Sequence, residues 1–199
     1  MKKAIFNTAA AIIVFATMAA FTFGKQSVMK VLPDKSKITW TGKKVTGEHT
    51  GNVKIKEGSV ELTDTRISGG SFIIDMSSIT CTDLTNEEYN QKLVGHLKSD
   101  DFFNTKKFPE AKLVITSATP IQKEEFTIKG QLTIKGKTLP VEFPANVITD
   151  GKILSATAKI EINRTQYDIK YGSGSFFDNL GDKAIDDIFH LNVNILAQI

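Results

Sequence analysis

Apolar and polar residues alternate with a period of two in segment after segment of this chain, and that pattern admits few folds. Ile38 and Trp40 alternate with Lys37, Thr39 and Thr41, and Val53/Ile55, Val60/Leu62, Phe72/Ile74/Met76 and Leu113/Ile115 repeat the pattern. It continues through Phe126/Ile128, Leu132/Ile134, Leu139/Val141/Phe143, Ile160/Ile162 and Leu191/Val193/Ile195. Successive side chains of a strand point to opposite faces, so each segment buries one face and wets the other. Gly, Asp and Asn punctuate the series, predicting turns at Glu57-Gly58-Ser59, Ser68-Gly69-Gly70, Lys135-Gly136-Lys137 and Asp150-Gly151. Regular short strands with such turns make an all-β sandwich or barrel.

One stretch breaks the rhythm. Thr85-Asn86-Glu87-Glu88 fits a capping box, in which the threonine hydroxyl and a glutamate satisfy free amides at a helix start. Tyr89, Leu93 and Leu97 then follow at helical spacing as one apolar stripe. Gly95 predicts a break into two short helices. A helical insert in an antiparallel chain suits a cap on one barrel end.

The N-terminus sets the compartment. Basic Met1-Lys2-Lys3 precedes an almost wholly apolar run from Ala4 to Phe23, the layout of a secretory signal peptide. The run is short for a membrane span, which needs about 20 apolar residues. Ala19, Ala20 and Gly24 offer small residues for cleavage, and residues 1–24 are read as the signal and 25–199 as one domain. No cysteine stands near the cut, so a lipoprotein anchor there is excluded. The expectation is a periplasmic protein, with secretion beyond the envelope as the alternative.

The remaining chain of about 175 residues suffices for one domain with its own core. Taking Lys2 and Lys3 from the formal charge of +3 leaves +1, with both signs evenly mixed. An electrostatic grip on nucleic acid is therefore not expected. Cys81 is the sole cysteine, so no intrachain disulfide staples the fold, and a small buried hydrophobe is its expected role.

Motifs for catalysis fail individually. Gly136-Lys137-Thr138 ends like a phosphate-binding loop, but Gln131 stands where the first glycine is needed and Pro140 and Pro144 follow in place of a helix. Gly172-Ser173-Gly174-Ser175 lacks the third glycine of a dinucleotide fingerprint and reads as a Gly-rich loop. There is no Gly-x-Ser-x-Gly elbow. His49, His96 and His190 are widely spaced without metal-ligand patterning, so neither a metal nor a cofactor is expected. Asp100 reads as a capping or backbone-bonding residue, and Asp186/Asp187 as a turn before the last strand. No enzyme is indicated.

What the chain offers is apolar surplus. Its 13 phenylalanines include the adjacent pairs Phe102-Phe103 and Phe176-Phe177. In loops near a barrel mouth such rings line or gate an apolar cavity; elsewhere they are ordinary core.

Several blocks then carry a resemblance. They are Asp34-Lys35-Ser36-Lys37-Ile38-Thr39-Trp40, His49-Thr50-Gly51, the stretch from His96 to Phe103 with Lys107-Phe108-Pro109, the stretch from Gly130 to Thr138, and Ile162-Asn163-Arg164. In this order, behind a signal peptide, they resemble the bacterial YceI-like family. Many members carry Arg-Asp before the His-Leu pair, where this chain has Val94-Gly95. The resemblance implies a lipocalin-like, eight-stranded antiparallel β-barrel, all-β with minor helix and capped by short helices. It implies an exported lipid-binding protein holding an isoprenoid, an isoprenoid quinone or a fatty acid derivative in its bore, for transport, storage or sequestration. Ligand-binding candidates are Trp40, His49, Phe72, His96, Phe102, Phe103, Arg164, Phe176 and Phe177. For Arg164 a salt bridge locking two strands is an equal alternative. A homodimer and a transient contact with the envelope membrane stay open. The competing reading is a structural or stress-related envelope protein whose bore is filled by its own side chains. Small residues along inward positions would favour a ligand; such residues occur in the strands, as in Ser155-Ala156-Thr157-Ala158, whose facing the sequence does not assign.

Overall fold

The computed structural model describes residues 24–199, and the expected signal peptide falls almost wholly outside them. The first strands are β1 (Gln26–Val31), β2 (Lys37–Lys44), β3 (Gly47–Thr63) and β4 (Arg66–Asp75), followed by helix α1 (Glu87–Lys98). Then come β5 (Glu110–Pro120), β6 (Glu125–Ile134), β7 (Lys137–Thr149), β8 (Ile153–Asn163) and β9 (Ile185–Gln198). Neighbours pair antiparallel from β2 to β9, and β9 returns to pair with β2, closing an eight-stranded barrel. β1 lies beside it, zipped to the distal half of β3 and touching the end of β9. Closure pairs most strands on both sides and so removes most of the edge that another chain could pair with. No helix among the described residues is long and apolar enough to cross a membrane.

Two expected turns are strand interior instead. Glu57-Gly58-Ser59 lies within the 17-residue β3, and Ser68-Gly69-Gly70 lies within β4. These glycines mark close approach rather than reversal. A Cβ at Gly58 would stand 2.9 Å from Val31 of β1, and one at Gly70 would stand 2.8 Å from the Ser59 carbonyl oxygen. The chain reverses at Asp64, in the left-handed region at φ 58°. The turns at Lys135-Gly136 and Asp150-Gly151 are where the sequence predicts them, with Gly136 at φ 78° and Gly151 at φ 85°.

β7 and β8 pair only from Ala145↔Ala158 to Thr149↔Leu154 and then part. Over Lys137–Pro144 β7 is therefore an edge toward β8. That position accommodates Pro140 and Pro144, which have no N–H to give a ladder.

Helix α1 differs from its expected form in two ways. Asn86, rather than Thr85, is the N-cap: its side-chain oxygen accepts from the Tyr89 amide at 3.1 Å. Asn is among the strongest caps, so the helix starts one residue later. The helix also runs unbroken through Gly95, since one exposed glycine costs only about 1 kcal/mol and packing outweighs it. The stripe sinks along the helix, from exposed Tyr89 through half-buried Leu93 to buried Leu97. Asp186 and Asp187 form the start of β9 rather than a turn before it.

Candidate functional site

Strand alternation builds the site. On β8, Ala156 and Ala158 face inward while Ser155 and Lys159 are exposed; on β9, Leu191, Val193 and Ile195 face inward while Asn192 and Asn194 are exposed. The inward sets of all eight barrel strands enclose an apolar cavity of about 220 Å³. It extends from Val147 and Leu154 at the hairpin end to Leu97, Phe102 and Phe103 at the helix end. Protein interiors hold few voids larger than a water molecule, so this is a bore rather than imperfect packing. Its width has a cause in the sequence: Gly42, Ala111, Ala145, Ala156 and Ala158 all line it. At Gly42 a Cβ would meet nothing within 4 Å, although Ile38 and Trp40 on the same face of β2 are buried.

Charge enters the lining at one place. Arg164 and Asp186 border the cavity at the helix end. Arg164 is buried to 4% exposure, and its guanidinium donates to four backbone carbonyls. Nη1 reaches Ile169 and Tyr171 at 2.8 and 2.9 Å, Nε reaches Asp186 at 2.9 Å, and Nη2 reaches Ile185 at 2.9 Å. Asp187 Oδ1 stands 3.6 Å from Nη2 and has no hydrogen-bond donor. Burial pushes the guanidinium below its ordinary value, opposed by Asp187 and Asp186. Four of the five N–H donors of Arg164 are thus spent on backbone carbonyls. It ties the segment after β8 to the start of β9 and so forms part of the end wall.

An aromatic cluster completes that end. His96 of α1 meets Phe102 edge-on at 4.9 Å and Tyr171 at 4.6 Å. Phe103 meets Phe189 of β9 at 6.3 Å, again edge-on. His96 Nε2 lies 3.1 Å from an Asp101 carboxylate oxygen.

The sequence-derived candidates separate into two groups. Trp40, Phe72, Phe102, Phe103 and Arg164 line the cavity. The other four lie outside its lining. His96 backs Phe102, and Phe176 and Phe177 are half exposed on the Gly-rich loop, with Lys170 Nζ 4.7 Å from the Phe176 ring centre. His49 sits at the start of β3, with Nδ1 2.8 Å from Asp83 Oδ2. Sequence reasoning missed the small inward residues at Gly42, Ala111 and Ala145, whose signal was an alternation that places them in step with larger apolar residues. It also missed Asp83 and Cys81 as neighbours of His49, because 34 positions separate His49 from Asp83 along the chain.

The YceI-like domain profile matches residues 29–197. The chain belongs to the YceI-like family. A UPF0312 protein of Shewanella denitrificans is 44% identical over 57 residues, which are 29% of this chain and 30% of that relative. The aligned stretch thus spans under a third of the relative's length. Among solved structures, Burkholderia cenocepacia BcnA superposes with a TM-score of 0.67 at 23% identity, covering 84% of this chain and 99% of that one. A polyisoprenoid binding domain from Saccharophagus degradans, implicated in plant cell wall breakdown, gives a TM-score of 0.62 at 12% identity. It covers 87% of this chain and 99% of that one. At these identities the likeness establishes the shared barrel.

Proposed function

We propose that this YceI-like protein is an exported, non-enzymatic lipid carrier that shields an isoprenoid or similar long-chain amphiphile in its bore. The observation that carries the reading is the continuous apolar cavity of about 220 Å³, kept open by glycine and alanine at inward positions. A structural barrel filled by its own side chains would place large aliphatics there. The basic start and apolar run of residues 1–24 support export to the periplasm, where a free polyprenyl chain needs shielding from water.

Magnitudes assign the roles. Burying an apolar tail contributes roughly 0.8 kcal/mol per CH₂, so a tail of about 20 carbons offers on the order of 15 kcal/mol gross. Lost freedom on binding offsets much of it. The tail therefore sets affinity. Polar atoms at the helix end, where Asp186 borders the cavity, set orientation. With four of its five N–H donors committed to carbonyls, Arg164 acts on a head group mainly through its charge.

Uptake tests the reading. Protein stripped of lipid is incubated with a long-chain prenyl alcohol and with a fatty acid, then separated from free ligand by gel filtration. Close to one chain per protein is expected for at least one of them. Failure to retain either, by folded protein, would leave the bore without a lipid function.

A further inference from the structure

We infer that His49, Cys81 and Asp83 form a binding site for a borderline-soft divalent cation of the Zn²⁺ type, at the barrel end where β3 begins and residues 80–83 run beside it. The inference is independent of the lipid reading. The three side chains bring one nitrogen, one sulfur and one carboxylate to a single point, with the ligand atoms all within 4.8 Å of one another. His49 Nδ1 lies 2.8 Å from Asp83 Oδ2, and Cys81 Sγ lies 3.3 Å from Asp83 Oδ1. In a tetrahedral zinc site with bonds of about 2.0–2.3 Å, neighbouring ligand atoms stand roughly 3.3–3.7 Å apart. Shifts of about an ångström in side chains convert one arrangement into the other. Imidazole, thiolate and carboxylate together suit zinc rather than magnesium or calcium, which prefer oxygen alone.

The surroundings hold these groups in place. The Thr50 amide donates to Asp83 Oδ1 at 2.8 Å, which orients the carboxylate from behind as second-sphere partners do. Residues 80–83 are strapped along β3: the Thr80 amide donates to the Asn52 carbonyl, and the Thr82 amide to the Thr50 carbonyl, each at 2.9 Å. Asn90 of α1 donates to the Cys81 carbonyl at 3.0 Å. His49 and Asp83 are each about 30% exposed as side chains, so an ion reaches them from solvent, while Cys81 forms the buried floor. Three protein ligands leave a fourth position for water. The alternative is that the three groups only hydrogen-bond one another to fasten the strap.

Cobalt separates the two. The reduced full-length protein, freed of metal with a chelator that is then removed, is titrated with Co²⁺ while its near-ultraviolet and visible absorption is followed. One equivalent should produce a thiolate-to-cobalt charge-transfer band and the intense visible bands of a tetrahedral ion, both abolished by one equivalent of Zn²⁺. His49→Ala should weaken binding at least tenfold, and Cys81→Ser should remove the charge-transfer band, with circular dichroism checking that each variant folds. The wild-type titration decides even if a variant misfolds. Absence of the band in folded wild-type protein, or Zn²⁺ affinity unchanged in both variants, would overturn the assignment.

Discussion

The indole N–H of Trp40 donates to the Thr80 carbonyl across 3.0 Å. One residue thereby belongs to two parts of the molecule: its ring lines the apolar bore, and its nitrogen holds the strap that carries Cys81 and Asp83. Trp40→Phe keeps most of the ring and strands a carbonyl. A loss of about 1–3 kcal/mol is expected in urea denaturation. Since Trp40 is the chain's single tryptophan, its emission should also shift when the bore fills.

The same strap fixes the tolerance of glycines. A Cβ at Gly51 would stand 1.7 Å from the Thr80 carbonyl oxygen, which is backbone and cannot turn aside. Gly51→Ala should cost about 2–4 kcal/mol. Gly95, exposed in mid-helix with nothing within 4 Å, predicts the opposite. Gly95→Ala should raise stability by about 0.5–1 kcal/mol. Thermal denaturation of the two variants side by side checks both signs.

Those two glycines show what was legible in the sequence. Alternation read the strands and which residues share a face, because strand geometry is local. It misread Gly58 and Gly69-Gly70 as turns, because a glycine needed for a close neighbour looks the same as one needed for reversal. Trp40, Phe72, Phe102 and Phe103 were legible as bore residues through their place on inward faces or in the capping segment. His96 was not assignable, because only the fold sets it behind Phe102. Nor could spacing reveal His49 beside Cys81 and Asp83, since a strap laid across β3 creates that neighbourhood.

Arg164 should prove structural in its first effect. Arg164→Lys keeps the charge, but one ammonium on a flexible stem cannot serve four carbonyls in two segments. Arg164→Lys and Arg164→Met should both lose more than about 3 kcal/mol, measured by urea denaturation. A lysine variant as stable as wild type would show that the guanidinium fork is dispensable.

Acid should weaken the fold through particular carboxylates. The Ser77 hydroxyl and amide hold Asp75 below the usual carboxylate range against the opposing effect of burial. For Asp187 burial acts upward, and the Ser173 and Ser175 hydroxyls with the Arg164 charge outweigh it, so it too is depressed. A carboxyl depressed in the folded state contributes stability that is complete above its unfolded value of about 3.9 and is lost as pH falls through the folded value. Urea midpoints should therefore change little from these groups between pH 7 and about pH 5, then drop below about pH 4. Asp187→Asn should lower the neutral plateau and flatten that acid limb.

Filling the bore should separate folding from binding. Ala156 and Ala158 face the cavity from β8. Ala158→Phe, and the paired change with Ala156→Phe, should leave the circular dichroism spectrum of the barrel intact while cutting prenyl-alcohol uptake at least tenfold. Lys159→Phe on the exposed face serves as the control and should bind as wild type does.

What the barrel holds in the cell decides whether it is a lipid carrier. The protein is purified from its native cells without detergent, extracted with organic solvent and analysed by mass spectrometry beside an unrelated protein prepared in the same way. A long-chain species near one equivalent, absent from the control and from the Ala158→Phe variant, is the predicted result. An empty extract, from protein that also takes up no prenyl or fatty lipid afterwards, would contradict the account.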